Sequence, residues 1–334
     1  MNSAGLRERL NARRIVTSRE GSVMFMSVLL SIVFTSLNVN FMTERNFVTI
    51  GELITGNSVV AAGQVMLMVM GDIDLSVGAV YALTPYLVYL TYTAGMPMQI
   101  GIPLSILAAV AVGSANGLIT VVLRVPALIA TLGMNFVVTA TNLIISNDYQ
   151  QDMPYQQPYT AIFGGGKFFG IEISFIWTAL AFVILAAMLA RMRHGLWSLS
   201  TGGNPAGTKE VGVNVNLTKI RNFILCSTIA GIWGLFAANH NFVFGGIGAA
   251  NPLQGGDTLV LEGIASAAIG GTSLFGGSGT VIGAFFGSLL ISVLQDGLFI
   301  TGANAYSYDT LLGIAIILSM VLNMQSRRRS RLGG

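Results

Sequence analysis

Ten apolar runs, each about as long as a bilayer is thick, dominate the chain of 334 residues. A membrane-spanning helix needs about 20 mostly apolar residues. The runs lie at 22–39, 48–70, 76–93, 100–123, 126–146, 172–190, 221–241, 257–274, 279–298 and 308–324. Only 9% of the residues are charged, against about 25% in an ordinary soluble domain. The sequence therefore predicts an all-α polytopic membrane protein with about ten transmembrane helices, some of them broken by glycine and polar residues.

The distribution of basic residues predicts how these spans are oriented. If the N-terminus is cytoplasmic, all 17 lysines and arginines fall on the cytoplasmic side except Arg45 and Lys167. Lysine and arginine are enriched in cytoplasmic loops. We therefore expect both termini in the cytoplasm and an even number of spans.

The same spans divide the chain into three segments. A cytoplasmic N-terminal tail covers 1–21, the transmembrane domain covers 22–324, and a basic cytoplasmic tail covers 325–334. Two connections within the transmembrane domain are long, a cytoplasmic loop at 191–220 and an external loop at 147–171. The external loop carries many aromatic residues and amides, and is either an interfacial anchor or a docking surface.

One stretch of the cytoplasmic loop predicts a short helix. Asn204 can cap its start, Pro205 suits its first position, and Gly212 can end it in a left-handed conformation. Because a helix of two turns is not stable alone, this one must pack against another part of the protein.

The stretch GDIDLSVG, from Gly71 to Gly78, places two acids between two apolar runs. An ionised side chain at the bilayer centre costs about 2.5–3.5 kcal/mol. Asp72 or Asp74, together with Ser76, can cap the helix that follows. The stretch is then either a cytoplasmic turn or a helix break that lines a cavity or an interface.

A second glycine-rich stretch begins at Ile269 and reads IGGTSLFGGSGTVIGAFFGS. Four of its glycines are predicted to bracket another break, namely Gly270, Gly271, Gly276 and Gly277. Three more recur at every fourth residue, namely Gly279, Gly283 and Gly287. Small residues at this spacing let two helices approach closely, either within the chain or between two copies of it.

Several amide side chains lie inside the predicted spans. Each alone is more often an interhelical hydrogen bond than a ligand contact, but as a set they suit a neutral, hydroxyl-rich solute better than an ion. The candidate residues of a polar path are Asn57, Gln64, Asn116, Asn135, Asn239 and Gln295. The chain has no phosphate-binding G-x-x-x-x-G-K-[ST] motif, and two histidines with one cysteine argue against a transition-metal site.

The spacing of some of these residues hints at internal repetition. The pair at 116–117 stands as far before Gly133 as the pair at 296–297 stands before Gly313. An odd number of spans separates the two copies, so the repeats would be inverted, as is common in transporters.

Five motifs in one order carry a resemblance to a known family. They are GDIDLSVGA, Asn116-Gly117, RVPALIATLG, TGGNPAG followed by VGVN, and IGGTSLFGGSGTVIGA. In this order, and over about residues 20–325, the chain resembles the permease subunits of ribose-type sugar ABC importers. The family motif GD-x-D-L-S is complete here, with Gly71, Asp72, Asp74, Leu75 and Ser76, and Gly78 follows.

The resemblance implies a permease that moves a monosaccharide by alternating access, with no cofactor of its own. It implies three partners: a cytoplasmic ATPase that binds ATP and magnesium, an external sugar-binding protein, and a second permease chain, identical or related. It also implies the bacterial cytoplasmic (inner) membrane and no nucleic acid. The predicted short helix would be the coupling helix that docks into the ATPase, formed by Asn204, Pro205, Ala206, Gly207, Thr208, Lys209, Glu210, Val211 and Gly212.

The alternative is an ion-coupled secondary transporter of a small polar solute. Such a protein needs buried acids at an ion-coupling site. The sequence offers Asp72, Asp74, Glu262 and Asp296 as candidates.

Overall fold

The computed structural model describes residues 19–147, 158–159, 161–241 and 252–332. The α-helices of this part of the chain are α1 (Arg19–Leu37), α2 (Glu44–Met68), α3 (Val77–Thr93), α4 (Met98–Val121), α5 (Ala127–Ser146), α6 (Ile173–Arg191), α7 (Arg193–Gly203), α8 (Pro205–Glu210), α9 (Val215–Asn241), α10 (Pro252–Ile269), α11 (Val281–Ile300) and α12 (Ala305–Leu332). A 3₁₀ helix (Val39–Met42) joins α1 to α2.

A small hairpin precedes α6. A π-helical turn (Ala161–Gly165) leads into the strands β1 (Lys167–Phe168) and β2 (Ile171–Glu172), which pair antiparallel. The rest of the predicted external loop, at 148–157 and 160, lies outside the described residues.

The prediction of a mostly helical polytopic membrane protein is confirmed. Apart from α7 and α8, the described helices coincide with the ten predicted spans. Six are long and apolar enough to cross a membrane by length and composition, over Glu20–Leu37, Met98–Val121, Ala127–Ser146, Ile173–Arg191, Val215–Asn239 and Val281–Ile300. The number of spans beyond these six stays a prediction.

Helix α2 is less apolar than these six, and its C-terminal part lies in the protein interior. From Gly56 to Met70 every residue is buried, amides included. Its neighbours are α6, α9, α10 and α11, which all come from the second half of the chain. A helix that is surrounded by protein on every side needs no lipid-facing apolar stripe, so it tolerates Asn57 and Gln64.

The helices of the two halves pair in a matching pattern. Helix α3 packs on α4 and α5, as α10 packs on α11 and α12. Likewise α9 packs on α3 and α4, as α2 packs on α10 and α11. The pattern matches the second to fifth predicted spans with the seventh to tenth.

Glycines allow the tightest of these helix contacts. A Cβ added at Gly283 would lie 2.1 Å from the carbonyl oxygen of Gly270, and one at Gly287 would lie 2.0 Å from that of Ser266. Both contacts lie between the C-terminal end of α10 and α11. The two backbones can approach so closely only because glycine has no side chain. The prediction that this glycine stripe packs within the chain is therefore confirmed.

The segments predicted as a loop and a basic tail contain more helix than the one short helix predicted between them. The loop at 191–220 contains α7 and the first residues of α9, in addition to the predicted α8. Helix α7 is rich in Gly and Ser, so neither apolarity nor propensity reveals it. It packs closely against the end of α6, where a Cβ at Gly195 would lie 2.2 Å from the carbonyl oxygen of Met188. The basic tail at 325–334 continues α12 as far as Leu332, because arginine is a good helix former.

Candidate coupling site

Helix α2 ends in a left-handed glycine turn at the start of GDIDLSVG. Gly71 has φ +84° and donates its N–H to the carbonyl of Met68 at 2.9 Å. The next N–H, that of Asp72, donates to the carbonyl of Leu67 at 3.2 Å. These bonds form a Schellman motif, whose left-handed position favours glycine. The predicted break is confirmed at Gly71, whereas Gly78 lies buried within the first turn of α3.

Helix α10 ends in the same way. Gly271 has φ +94° and donates to the carbonyl of Ala268 at 3.0 Å. The N–H of Thr272 donates to the carbonyl of Ala267 at 2.9 Å. Two more glycines of this second break are left-handed, Gly276 (φ +82°) and Gly277 (φ +84°). Each of the two glycine-rich stretches therefore ends an interior helix in a Schellman motif.

The carboxylate of Asp74 is fully buried and holds the first break together. It accepts hydrogen bonds from the backbone N–H of Ser76 at 2.8 Å and from the Ser76 hydroxyl at 2.6 Å. Asn116 on α4 donates to both carboxylate oxygens, at 3.4 and 3.3 Å, and Ser227 on α9 donates at 3.4 Å. A buried carboxylate needs this many donors, because burial without partners is costly. Asp74 therefore joins the start of α3 to α4 and α9.

The backbone of the same stretch is also held by side chains. Gln64 on α2 donates to the carbonyl of Asp74 and accepts its N–H at 3.3 Å. The hydroxyl of Thr131 on α5 accepts the N–H of Leu75 at 3.1 Å. Two of the residues predicted to line a path, Gln64 and Asn116, thus bind protein groups of this break.

Asp72 lies in a different environment from Asp74. Its carboxylate pairs with the ammonium group of Lys219 at 2.6 Å. The side chain of Asp72 is 11% exposed and that of Lys219 is 25% exposed. Lys219 lies in the first turns of α9, just after the predicted coupling helix. The two acids therefore have different partners: Asp74 binds polar groups within the helix bundle, and Asp72 binds Lys219 near α8.

The predicted short helix is present as α8, with the predicted ends. The Asn204 side chain accepts the N–H of Gly207 at 3.0 Å, and Pro205 is the first helical residue. Gly212 has φ +85° and donates to the carbonyl of Lys209 at 3.0 Å. Pro205, Ala206, Lys209, Glu210 and Val211 are exposed, whereas Thr208 is buried. The helix therefore presents one face outward and rests on the protein with the other.

The end of α7, just before α8, lies against both breaks. The N–H of Gly277 donates to the carbonyl of Val69 at 2.8 Å, so the two breaks touch. Gly202, near the end of α7, lies on this contact, and a Cβ there would be 1.8 Å from the Val69 oxygen. Backbone meets backbone at this point, with no side chain between.

The other candidate path residues are distributed over four helices. Asn57 is buried in α2 and Asn135 in α5, while Gln295 is half-buried in α11. Asn239 donates to the carbonyl of Leu235 in its own helix α9 at 2.8 Å. A path role for all six amides stays a prediction.

Sequence reasoning missed the contacts made by Asn222 on α9. Its amide nitrogen donates to the carbonyl of Met66 at 2.8 Å and to the hydroxyl of Ser198 at 2.9 Å. Its amide oxygen lies 2.6 Å from Nε2 of His194. Asn222 thus ties α7 to α2 and α9. The only sequence signal was its position one turn after Lys219, on the same face of α9.

The sequence matches a family model described as "branched-chain amino acid transport system / permease component" over residues 47–320. The chain belongs to this permease family. The predicted resemblance to ribose-type and xylose-type import permeases is also confirmed by curated relatives.

Three relatives of the permease cover nearly its whole length. The xylose/arabinose import permease protein XylH of Sulfolobus acidocaldarius is 35% identical over 96% of this chain and 89% of its own length. The ribose import permease proteins RbsC of Escherichia coli K12 and Bacillus subtilis are 31% and 29% identical, over 90% and 88% of this chain and 92% and 89% of their own.

Proposed function

We propose that this permease is the transmembrane subunit of an ATP-driven importer and passes a pentose through the membrane by alternating access. The observation that carries the proposal is α8, a capped helix exposed on one face, which directly follows the end of α7 where Gly202 touches both helix breaks. The near full-length similarity to xylose/arabinose and ribose import permeases supports the substrate class.

The proposed topology has ten spans, with both termini in the cytoplasm of a bacterial cell and the chain in its cytoplasmic membrane. The asymmetry of basic residues supports this orientation. In the proposed orientation, α8 and both helix breaks lie on the cytoplasmic side. The matching helix pairs support an inverted repeat.

The proposed partners follow from the surfaces at the two ends of the permease. On the cytoplasmic side, α8 docks into a separate ATPase, which binds ATP and magnesium. On the external side, the loop before α6 receives a sugar-binding protein. A second permease chain, identical or related, completes the path.

An ion-coupled secondary transporter is the second candidate, and the contacts of its candidate acids argue against it. Asp74 has four donors, and Asp72 is paired with Lys219. Glu262 accepts a hydrogen bond from the Tyr308 hydroxyl, and Asp296 accepts one from Asn46 at 2.7 Å. Acids with such partners serve the protein's own packing. Membership of the permease family favours the importer as well.

Cross-linking of α8 tests the docking. Cys226 is the only cysteine and is buried, so Ala206→Cys adds one exposed thiol on α8. A bifunctional thiol reagent should join this thiol to a co-purified ATPase, and Ile317→Cys, exposed on α12, should give no product. Purification in several mild detergents without any ATPase would contradict the proposal.

Uptake into proteoliposomes tests the energy source and the substrate. Labelled D-xylose, L-arabinose and D-ribose should accumulate only with ATP, the ATPase and the binding protein present. Uptake that persists without ATP and is abolished by a protonophore would establish the secondary transporter instead.

A further inference from the structure

Both flanks of α8 are attached to one short stretch, Val69–Asp72, between α2 and α3. Before α8, Gly202 lies on the carbonyl of Val69. After α8, Lys219 pairs with Asp72. The segment that contains α8 therefore contacts this stretch both before and after the helix.

The contact before α8 is made by backbone alone. A Cβ at Gly202 would lie 1.8 Å from the oxygen of Val69 and 2.6 Å from the nitrogen of Gly277. A Cβ at Gly276 would lie 2.9 Å from the Cα of Gly202. Packed backbones have no side-chain rotamers to absorb a displacement, so a shift of α7 reaches both breaks directly.

The contact after α8 is an ion pair between two largely buried side chains. Water screens such a pair less than an exposed one, so its energy is larger. Within the described ranges, the other ion pair is Lys167–Glu172 on the external hairpin, at 3.9 Å and with Lys167 68% exposed. The Asp72–Lys219 pair is shorter and better buried.

The attached stretch continues directly into the Asp74 hydrogen bonds. Asp74 stands two residues after Asp72 and binds Asn116 of α4 and Ser227 of α9. A displacement of Val69–Asp72 is therefore passed to the start of α3 and to two further helices.

We propose that a movement of α8 displaces the stretch Val69–Asp72. Lys219 is a positioning residue in this proposal, because its ion pair with Asp72 makes the stretch move together with α8. The inference rests on the proposed docking of α8 into an ATPase. It explains why the motif carries two acids: Asp72 meets the moving cytoplasmic segment, and Asp74 distributes the movement within the bundle.

The test is a charge exchange in the complete importer in proteoliposomes. Lys219→Asp and Asp72→Lys each place two like charges together, and the double exchange restores an opposite pair. The readout is the amount of labelled D-xylose, L-arabinose and D-ribose accumulated per ATP hydrolysed. We expect each single variant to lower this ratio about tenfold, within the usual range of coupling between two sites. The double exchange and Lys219→Arg should restore most of it.

Arg221→Asp is the matched control. It makes the same charge change on α9, but Arg221 is exposed. Its ratio should equal that of the unaltered permease. If charge reversal lowers the yield of folded complex, Asp72→Asn keeps the side-chain size and serves the same comparison, with a smaller fall expected.

Three outcomes would overturn the inference. The single variants could keep the normal ratio, they could lose uptake and hydrolysis by the same factor, or the double exchange could fail to restore the ratio. Failure of the proposed function looks different, because then the unaltered permease itself gives no α8–ATPase cross-link.

Discussion

Replacing Gly202 with alanine should separate α7 from the two helix breaks. The added methyl group would start 1.8 Å from the carbonyl oxygen of Val69, where real Cβ atoms stay beyond 3.0 Å. The atom that the methyl group meets belongs to the backbone, so no side chain can rotate away. The change must either displace α7 or break the hydrogen bond from Gly277 to Val69.

The cost follows from these two effects. Overpacking a close contact costs about 1–3 kcal/mol, and leaving a buried backbone donor or acceptor unpaired costs about 1–3 kcal/mol. Either effect alone predicts a loss of about 1–3 kcal/mol in the free energy of unfolding, and both together predict about 2–6 kcal/mol. For a chain of this size each 1 kcal/mol lowers the unfolding midpoint by roughly 1.4 °C, so we expect a fall of about 1–4 °C from one effect and about 3–8 °C from both.

Cys226 provides the assay. It is the only cysteine and is 2% exposed, and it packs against Gly63 of α2, so it reacts with a fluorogenic maleimide only when the bundle opens. Gly203→Ala is the matched control, because the nearest atom to its added Cβ is 3.9 Å away. Equal unfolding midpoints for the two variants would refute the reasoning. If unfolding is irreversible, the unfolding rates of the two variants are compared at one temperature instead of their midpoints.

Three further changes test other parts of the structure. Asp74→Asn leaves fewer acceptors for the surrounding donors, so the thiol assay should show a loss of about 1–3 kcal/mol; an unchanged midpoint would contradict this account. Gly287→Leu should prevent α10 and α11 from packing and abolish the folded peak in size-exclusion chromatography, whereas Gly313→Leu, which adds its side chain to open space, should not. Asn204→Ala removes the acceptor of the Gly207 N–H and about 1 kcal/mol from α8, so ATPase binding should weaken while the unfolding midpoint stays within about 2 °C; equally strong ATPase binding would argue against docking by α8.

The features predicted best from the sequence are those set by local chemistry. The ends of α8 were predictable because Asn204, Pro205 and Gly212 act within a few residues of their own positions. The breaks at Gly71 and Gly271 were predictable for the same reason, since a left-handed helix ending favours glycine wherever it occurs.

The features missed depend on partners far away in the chain. Gln64 and Asn116 were grouped as path residues by their polarity, but only the fold shows that both bind the Asp74 stretch. Helix α7 was missed because its helicity comes from packing on α6 and α9 rather than from its own residues. The pairing of Asp72 with Lys219 bridges a long stretch of sequence, and no local pattern marks it.

The position of α2 bears on how the chain reaches its folded state. Within the described residues, the α-helices that pack most extensively on it belong to the second half, while α9 from that half packs among α3 and α4 of the first. Each half thus contains one helix that packs mainly against helices of the other half. When the ribosome has delivered only the first half, Gln64 already has its partner in the Asp74 backbone, but the helices of the second half that bury α2 are still missing. Neither half can mature as a separate lobe, so the two should become protease-resistant together, after α11 has been inserted.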